Sequence, residues 1–256
     1  MKINTLLILI ILSPVTSIAQ SIDLQEDTTV NNLYDSRNGS RAMADIDNDG
    51  DLDLIITGKD GNLTNDRTTL YSNDGLGNFT EITETGLSVL TDGGSIAFAD
   101  TDGDGDQDLL ITVRDNSPNH YAHFYLNDGS GNFTPDTTQP FEPSIGGNLE
   151  FADIDNDGDL DLFMTGRHNN NLIFSKLYQN DGTGEFSEVT STPFISEGGS
   201  ASAFFDMDND NDLDVLITGY NSSFQRIAKL YTNDGFGNYA LVTGTPFDDV
   251  QSGSIA

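Results

Sequence analysis

Asp45-Ile46-Asp47-Asn48-Asp49-Gly50-Asp51-Leu52-Asp53 places an acid at every odd position of a nine-residue stretch. The same pattern returns at residues 100–108, 153–161 and 206–214, with starts 55, 53 and 53 residues apart. A period near fifty residues marks a structural repeat, and here each repeat carries its own acidic loop. The acids are Asp45, Asp47, Asp49, Asp51 and Asp53; Asp100, Asp102, Asp104, Asp106 and Asp108; Asp153, Asp155, Asp157, Asp159 and Asp161; and Asp206, Asp208, Asp210, Asp212 and Asp214.

Carboxylates at positions 1, 3, 5 and 9 of such a loop can converge on one point, provided that position 6 reverses the backbone with φ > 0. Gly50, Gly105 and Gly158 fill that position, and Asn211, which tolerates the left-handed region, fills it in the fourth copy. By analogy with other oxygen-only loops, the backbone carbonyl of position 7 is a further expected ligand. Unneutralised carboxylates a few ångströms apart repel by about 4 kcal/mol per pair at an effective dielectric near 20. All-oxygen ligation in a flexible loop suits Ca²⁺ better than Mg²⁺ or Zn²⁺, so the expectation is about four Ca²⁺ sites, one per repeat.

The residues just after the loops exclude an EF-hand. Its twelfth position is a bidentate Glu between helices, whereas position 12 here is Ile56, Ile111, Met164 or Ile217. These residues sit in short apolar runs such as Leu109-Leu110-Ile111-Thr112, which read as strands buried on both faces. A second motif keeps step with the loop: Leu70-Tyr71-Ser72-Asn73-Asp74-Gly75-Leu76-Gly77-Asn78-Phe79 recurs at residues 124–133, 177–186 and 230–239. Its Asn-Asp-Gly turn signals a hairpin. Each repeat therefore parses as strand A, metal loop, strand B, variable loop, strand C, turn and strand D. Four antiparallel strands per unit predict an all-β propeller of four-stranded antiparallel blades.

The Phe98-Ala99-Asp100 and Phe151-Ala152-Asp153 lead-ins, the acidic loop and the Leu-Tyr-x-Asn-Asp-Gly-x-Gly turn together resemble the FG-GAP or VCBS repeat family. This family supplies calcium-binding blades, including those of integrin alpha-subunit propellers. The resemblance covers about residues 40–256 and implies Ca²⁺-loaded blades that serve in adhesion, in glycan binding or as appendages of secreted enzymes. Departures are local: Met43 stands for the lead-in Phe, Phe205 for the small residue before Asp206, and Asn211 for Gly.

The expected organisation is a signal peptide at 1–19, an N-terminal segment at 20–39 with a lone strand at Ile22 to Glu26, and blades at 40–91, 92–145, 146–198 and 199–250. Residues 251–256 open a truncated fifth repeat, because Gly253-Ser254-Ile255-Ala256 reproduces Gly94-Ser95-Ile96-Ala97. The four complete repeats are thus expected to belong to a larger propeller of about seven blades, with four-bladed closure as the alternative. At the start, a charged Met1-Lys2-Ile3-Asn4, the apolar Leu6 to Leu12 and the small-x-small Ser17-Ile18-Ala19 read as an export signal cut after Ala19. The apolar run is well short of the roughly 20 residues of a membrane span. A secreted or cell-surface location is the expectation.

Composition narrows the partners. Asp and Glu number 42 against 10 Lys and Arg, a net charge of −32 that repels nucleic acid and anionic lipid. The absence of Cys excludes disulfides, which leaves cations to staple the fold. No catalytic constellation emerges: His120, His123 and His168 read as exposed histidines near variable loops, and the acids are claimed by the metal loops. A non-enzyme is therefore expected. The variable B–C loops each bring an Arg, namely Arg67, Arg114, Arg167 and Arg226, joined by Tyr121 and Tyr220. On a propeller equivalent loops share one face, so these six form the expected ligand face. Three functions stay open: recognition or adhesion through a protein or glycan ligand, the propeller of a secreted polysaccharide-degrading enzyme whose catalytic residues lie elsewhere, and a passive adhesin spacer.

Overall fold

The computed structural model describes residues 33, 36–59, 66–88, 94–114, 119–194 and 197–247. The export signal, the lone strand at Ile22 to Glu26 and the Gly253 to Ala256 echo lie outside the described residues. Every regular element described is a strand. The first sheet holds β1 (Arg41–Ala44), β2 (Asp53–Lys59), β3 (Asp66–Asn73) and β4 (Phe79–Ile82). The second holds β5 (Ile96–Ala99), β6 (Asp108–Arg114), β7 (His120–Asn127) and β8 (Phe133–Asp136). The third holds β9 (Leu149–Ala152), β10 (Asp161–Arg167), β11 (Ile173–Asn180) and β12 (Phe186–Glu188). The fourth holds β13 (Glu197–Phe205), β14 (Asp214–Asn221), β15 (Arg226–Asn233) and β16 (Tyr239–Leu241). Each is a four-stranded antiparallel meander in chain order.

The second strand of each sheet is the apolar run after the metal loop. In β2, β6 and β10 six consecutive residues are buried, as expected of a strand covered on both faces. The covering layer is the neighbouring sheet. One core packs Ile55 and Leu70 of the first sheet on Leu109, Ile111 and Tyr125 of the second. A second joins Leu110 and Phe124 to Leu162, Met164 and Tyr178, and a third joins Phe163 and Leu177 to Val215, Ile217 and Tyr231. The hydrophobic core is thus divided among sheet-to-sheet joints, the arrangement of a repeat protein in which each unit is stabilised by its neighbours.

Two devices at these joints were not legible as part of the repeat. Phe141 and Phe194, in the connections between sheets, insert edge-on into the aromatic cluster of the next sheet, with ring centroids 5.3 Å from Tyr178 and 5.2 Å from Tyr231. The chain also binds itself just before the first strands of the first three sheets. The buried hydroxyls of Thr57, Thr112 and Thr165 accept from the backbone N–H of Ser40, Ser95 and Asn148 at 3.1, 3.0 and 2.9 Å. Gly94 lies so close to the Thr112 carbonyl that a Cβ there would sit 1.2 Å from its oxygen. Ser40 Oγ donates to Gly94 O, and Ser95 Oγ to Gly147 O at 2.5 Å, so the lead-in of the first sheet is tied to that of the second and the second to the third.

Candidate metal centres

The acidic loops join the first and second strands of every sheet. Position 9 opens the second strand, and its carboxylate is almost wholly buried, 1–2% exposed at Asp53, Asp108, Asp161 and Asp214. In all four copies one oxygen accepts from the backbone N–H of position 2: Ile46 at 3.1 Å, Thr101 at 3.3 Å, Ile154 at 3.3 Å and Met207 at 3.0 Å. The other accepts from the Asn that opens the hairpin turn: Asn73, Asn127, Asn180 and Asn233, at 2.8, 2.9, 2.8 and 2.9 Å. Position 9 therefore locks the start of the loop to the end of the third strand. Burial pushes the Asp108 carboxyl up to about 6 and that of Asp161 up to about 7, and it raises Asp53 as well. Loss of hydration disfavours the charged form, and the hydrogen-bond donors, the Thr101 hydroxyl first at Asp108 and backbone N–H groups elsewhere, only partly offset it.

The rest of the loop curls around a point. Position 6 has positive φ in each copy, 93°, 93°, 96° and, at Asn211, 73°, as the sequence predicts. Position 4 does too: Asn48, Gly103, Asn156 and Asn209 lie between 60° and 74°, a second reversal that the sequence pattern did not reveal although only Asn and Gly occupy the position. The N–H of position 6 donates to the carboxylate of position 1 at 2.9–3.2 Å, and that of position 7 to position 5 at 2.9–3.0 Å. These bonds draw the carboxylates together. Ligand oxygens of Asp45, Asp47 and Asp53 lie within 4.8 Å of one another, as do those of Asp100, Asp102 and Asp104, of Asp153, Asp155 and Asp157, and of Asp206, Asp208 and Asp210. Position 9 thus joins the triplet only in the first loop; in the other three, position 5 completes it while position 9 serves as the anchor.

The chemistry of the triplets defines what they could hold. Position 3 is held above the usual carboxylate range in all four loops, by loss of hydration first and then by repulsion from position 5. In the third loop, Oδ1 of Asp153 and Oδ1 of Asp155 are buried without a hydrogen-bond partner. Two unpartnered carboxylate oxygens in one cluster of acids fit a hard cation that prefers oxygen.

The hairpin turn explains why the second motif keeps step with the first. The Gly after each Asn-Asp touches the position-7 acid: a Cβ at Gly75, Gly129, Gly182 or Gly235 would lie 2.3–2.6 Å from a carboxylate oxygen of Asp51, Asp106, Asp159 or Asp212. The turn acids Asp74, Asp128, Asp181 and Asp234 bond within the turn. Side-chain hydrogen bonds from Asn78, Asn132, Thr183 and Asn238 hold them below the usual range. The turn Asn also reaches backward to the preceding loop, where its amide donates to the position-2 carbonyl: Asn127 to Ile46 at 2.9 Å, Asn180 to Thr101 at 2.7 Å and Asn233 to Ile154 at 2.7 Å.

The expected ligand face is less uniform. Arg114 and Arg167 end their strands at the position filled by Lys59 and Tyr220 elsewhere. Arg226 pairs across the hairpin with Tyr220, but Arg67 pairs with Gly58, one register position away, so its side chain projects from the opposite face. Arg67 is 2.5 Å from Glu81. Tyr121 stacks on His123 with centroids 5.6 Å apart. The expectation of exposed loop histidines fails for two of the three. His120 and His123 lie within β7, where His120 is buried and its Nδ1 bonds Arg167 O at 2.9 Å, and burial lowers both pKa values. His168 contacts Glu142 at 3.1 Å. A cleft of about 640 Å³ that the sequence did not reveal opens instead along the first strands of three sheets, floored by Met43, Phe98 and Phe151 and rimmed by Asp45, Asn48 and Gln107.

Four antiparallel sheets in tandem, each with one acidic loop in one register, define a class of β repeat built on a strand, an acidic loop and a buried strand. The chain belongs to the FG-GAP-like repeat family, whose model matches residues 45–111, 110–164 and 153–217. No curated protein sequence matches the chain. Among the described residues no helix is long and apolar enough to cross a membrane.

Proposed function

We propose that the chain is a secreted or cell-surface, calcium-stabilised propeller module with a recognition or adhesion role and no catalytic machinery of its own. The sheets act as blades, with β1, β5, β9 and β13 innermost, as contacts between successive first strands suggest. The observation that carries the calcium reading is the buried, unpartnered pair Asp153 Oδ1 and Asp155 Oδ1 inside a loop that recurs four times. Positions 1, 3 and 5 would hold each ion, with position 9 in place of position 5 in the first loop. Four divalent ions would bring the net charge from −32 to −24, so the loaded protein keeps a strongly acidic surface. The ion neutralises the loop and fixes two neighbouring strands; the variable loops at the other end of the sheets then carry a protein or glycan ligand.

Calorimetric titration of Ca²⁺ into chelator-treated protein, with thermal unfolding in parallel, tests the first half. About four equivalents and a raised melting temperature are expected, and the absence of binding would remove the calcium reading. For the second half, alanine replacement of Arg114, Arg167 and Arg226 should weaken capture on a glycan or extracellular-matrix array; unchanged capture would move recognition to another surface.

A further inference from the structure

The four loops differ in one respect that repeats in a pattern. Asn48, at position 4 of the first loop, donates through Nδ2 to Oδ1 of Asp106, at position 7 of the second loop, at 2.6 Å. Asn156 of the third loop does the same to Asp212 of the fourth, at 2.9 Å. Between the second and third loops the link cannot form, because position 4 is Gly103. The backbone there has the same left-handed conformation, φ 74° against 60° and 61°, so only the side chain is missing.

Resting on the calcium reading above, we infer that the cation sites are coupled in two pairs, first with second and third with fourth, through Asn48–Asp106 and Asn156–Asp212. Each Asn directly follows the position-3 acid, which belongs to the triplet in every loop, so a cation that draws that carboxylate inward fixes the direction of the amide. The acceptor, position 7 of the next loop, donates its own N–H to position 5: Asp106 to Asp104 at 2.9 Å and Asp212 to Asp210 at 3.0 Å. Filling one site therefore pre-orders an acid of the next, so ordering it costs the second cation less, which is positive coupling in the thermodynamic sense. Asn48 and Asn156 are positioning residues and not ligands. The joint between the second and third loops keeps its packing and its Asn180 to Thr101 bond yet carries no such relay.

The test uses the full chain, CaCl₂ as probe, and the amide resonances of Gly50, Gly105 and Gly158 as separate reporters of the first three loops. In otherwise unaltered protein, Asp47→Asn should shift the Gly105 titration midpoint to about five-fold higher Ca²⁺ or more and leave that of Gly158 in place. In an Asn48→Gly background the same substitution should no longer move Gly105. Gly103→Asn supplies the gain-of-function arm, since a Cβ there meets nothing within 4 Å and Asn tolerates the backbone. It should make the Gly158 midpoint respond to Asp102→Asn. Calcium-dependent shifts in which Gly105 ignores Asp47→Asn, or in which Asn48→Gly leaves its response intact, would overturn the pairing and spare the calcium reading. No calcium-dependent shift at any of the three glycines would overturn both.

Discussion

At one end of the sheets the loops between first and second strands share their anchor bonds and their reversals; at the other, the stretches between second and third strands differ in sequence. The acidic loops all bury position 9, reverse at positions 4 and 6, and lean on a turn glycine. Of the opposite loops, Asn221-Ser222-Ser223-Phe224-Gln225 and His168 to Leu172 close with the same turn on unrelated sequences, the first N–H donating to the fifth carbonyl and the fourth N–H to the first, while the arginines fall in two registers. Shared anchor bonds at one end argue for a shared physical task, and varied side chains at the other leave room for a ligand. One strand pair can thus be clamped at one end and free to diversify at the other.

The comparison breaks most readily if the clamp is released. Removing Ca²⁺ should lower stability by about 3 kcal/mol for each site that had been held at a hundred times its dissociation constant, read as a large drop in melting temperature in chelator; an unchanged melt would mean that the loops hold without an ion. Asp161→Ala comes next. It leaves the N–H groups of Ile154 and Asn180 buried without their acceptor, at about 1–3 kcal/mol each, measured by urea unfolding in saturating Ca²⁺ and in chelator. A loss seen in both conditions would establish position 9 as an anchor independent of the ion.

A smaller effect sharpens the link between loop and turn. Gly182→Ala should cost about 1–2 kcal/mol for its left-handed backbone alone, plus the collision with Asp159. Gly146→Ala, at φ 69° with open space around it, carries only the backbone cost, so the difference between the two melts isolates the contact. The pH dependence of the chelator-treated protein has a definite sign. Burial pushes the carboxyls of Asp108 and Asp161 up to about 6 and about 7, above their unfolded value near 4. Their contribution is complete below pH 4 and is lost as pH rises through 6 and 7. Apo stability from these groups should therefore fall between about pH 4 and 7 and level off above. With Ca²⁺ in excess the trend should reverse, because the ion binds the deprotonated loops. The smallest change is expected at the variable end: Arg67→Ala should cost under about 1 kcal/mol, since its partnership with Glu81 is exposed to solvent.

Much of the fold was written in local patterns. An acid at every odd position, Gly or Asn at position 6 and an apolar run beginning at position 9 name a loop that leads into a buried strand, and Asn-Asp-Gly names the hairpin two strands later. The structure assigned roles within those patterns. Position 9 proved to be an anchor in all four loops because its neighbours bury it, and burial is a property of the packed sheets. His120, read as exposed, is buried because the loop of the next repeat covers it, with Asn169 accepting from its backbone N–H at 2.5 Å.

The sequence by itself determined the period, the strand order and the clustering of acids, since these arise from side-chain chemistry and backbone preference over a few neighbouring residues. Only the tertiary structure decided which residues join one repeat to the next: Asn127 to Ile46, Phe141 to Tyr178, Asn48 to Asp106. These partners stand 37 to 81 positions apart, and no local preference specifies a contact at that separation until the sheets have packed.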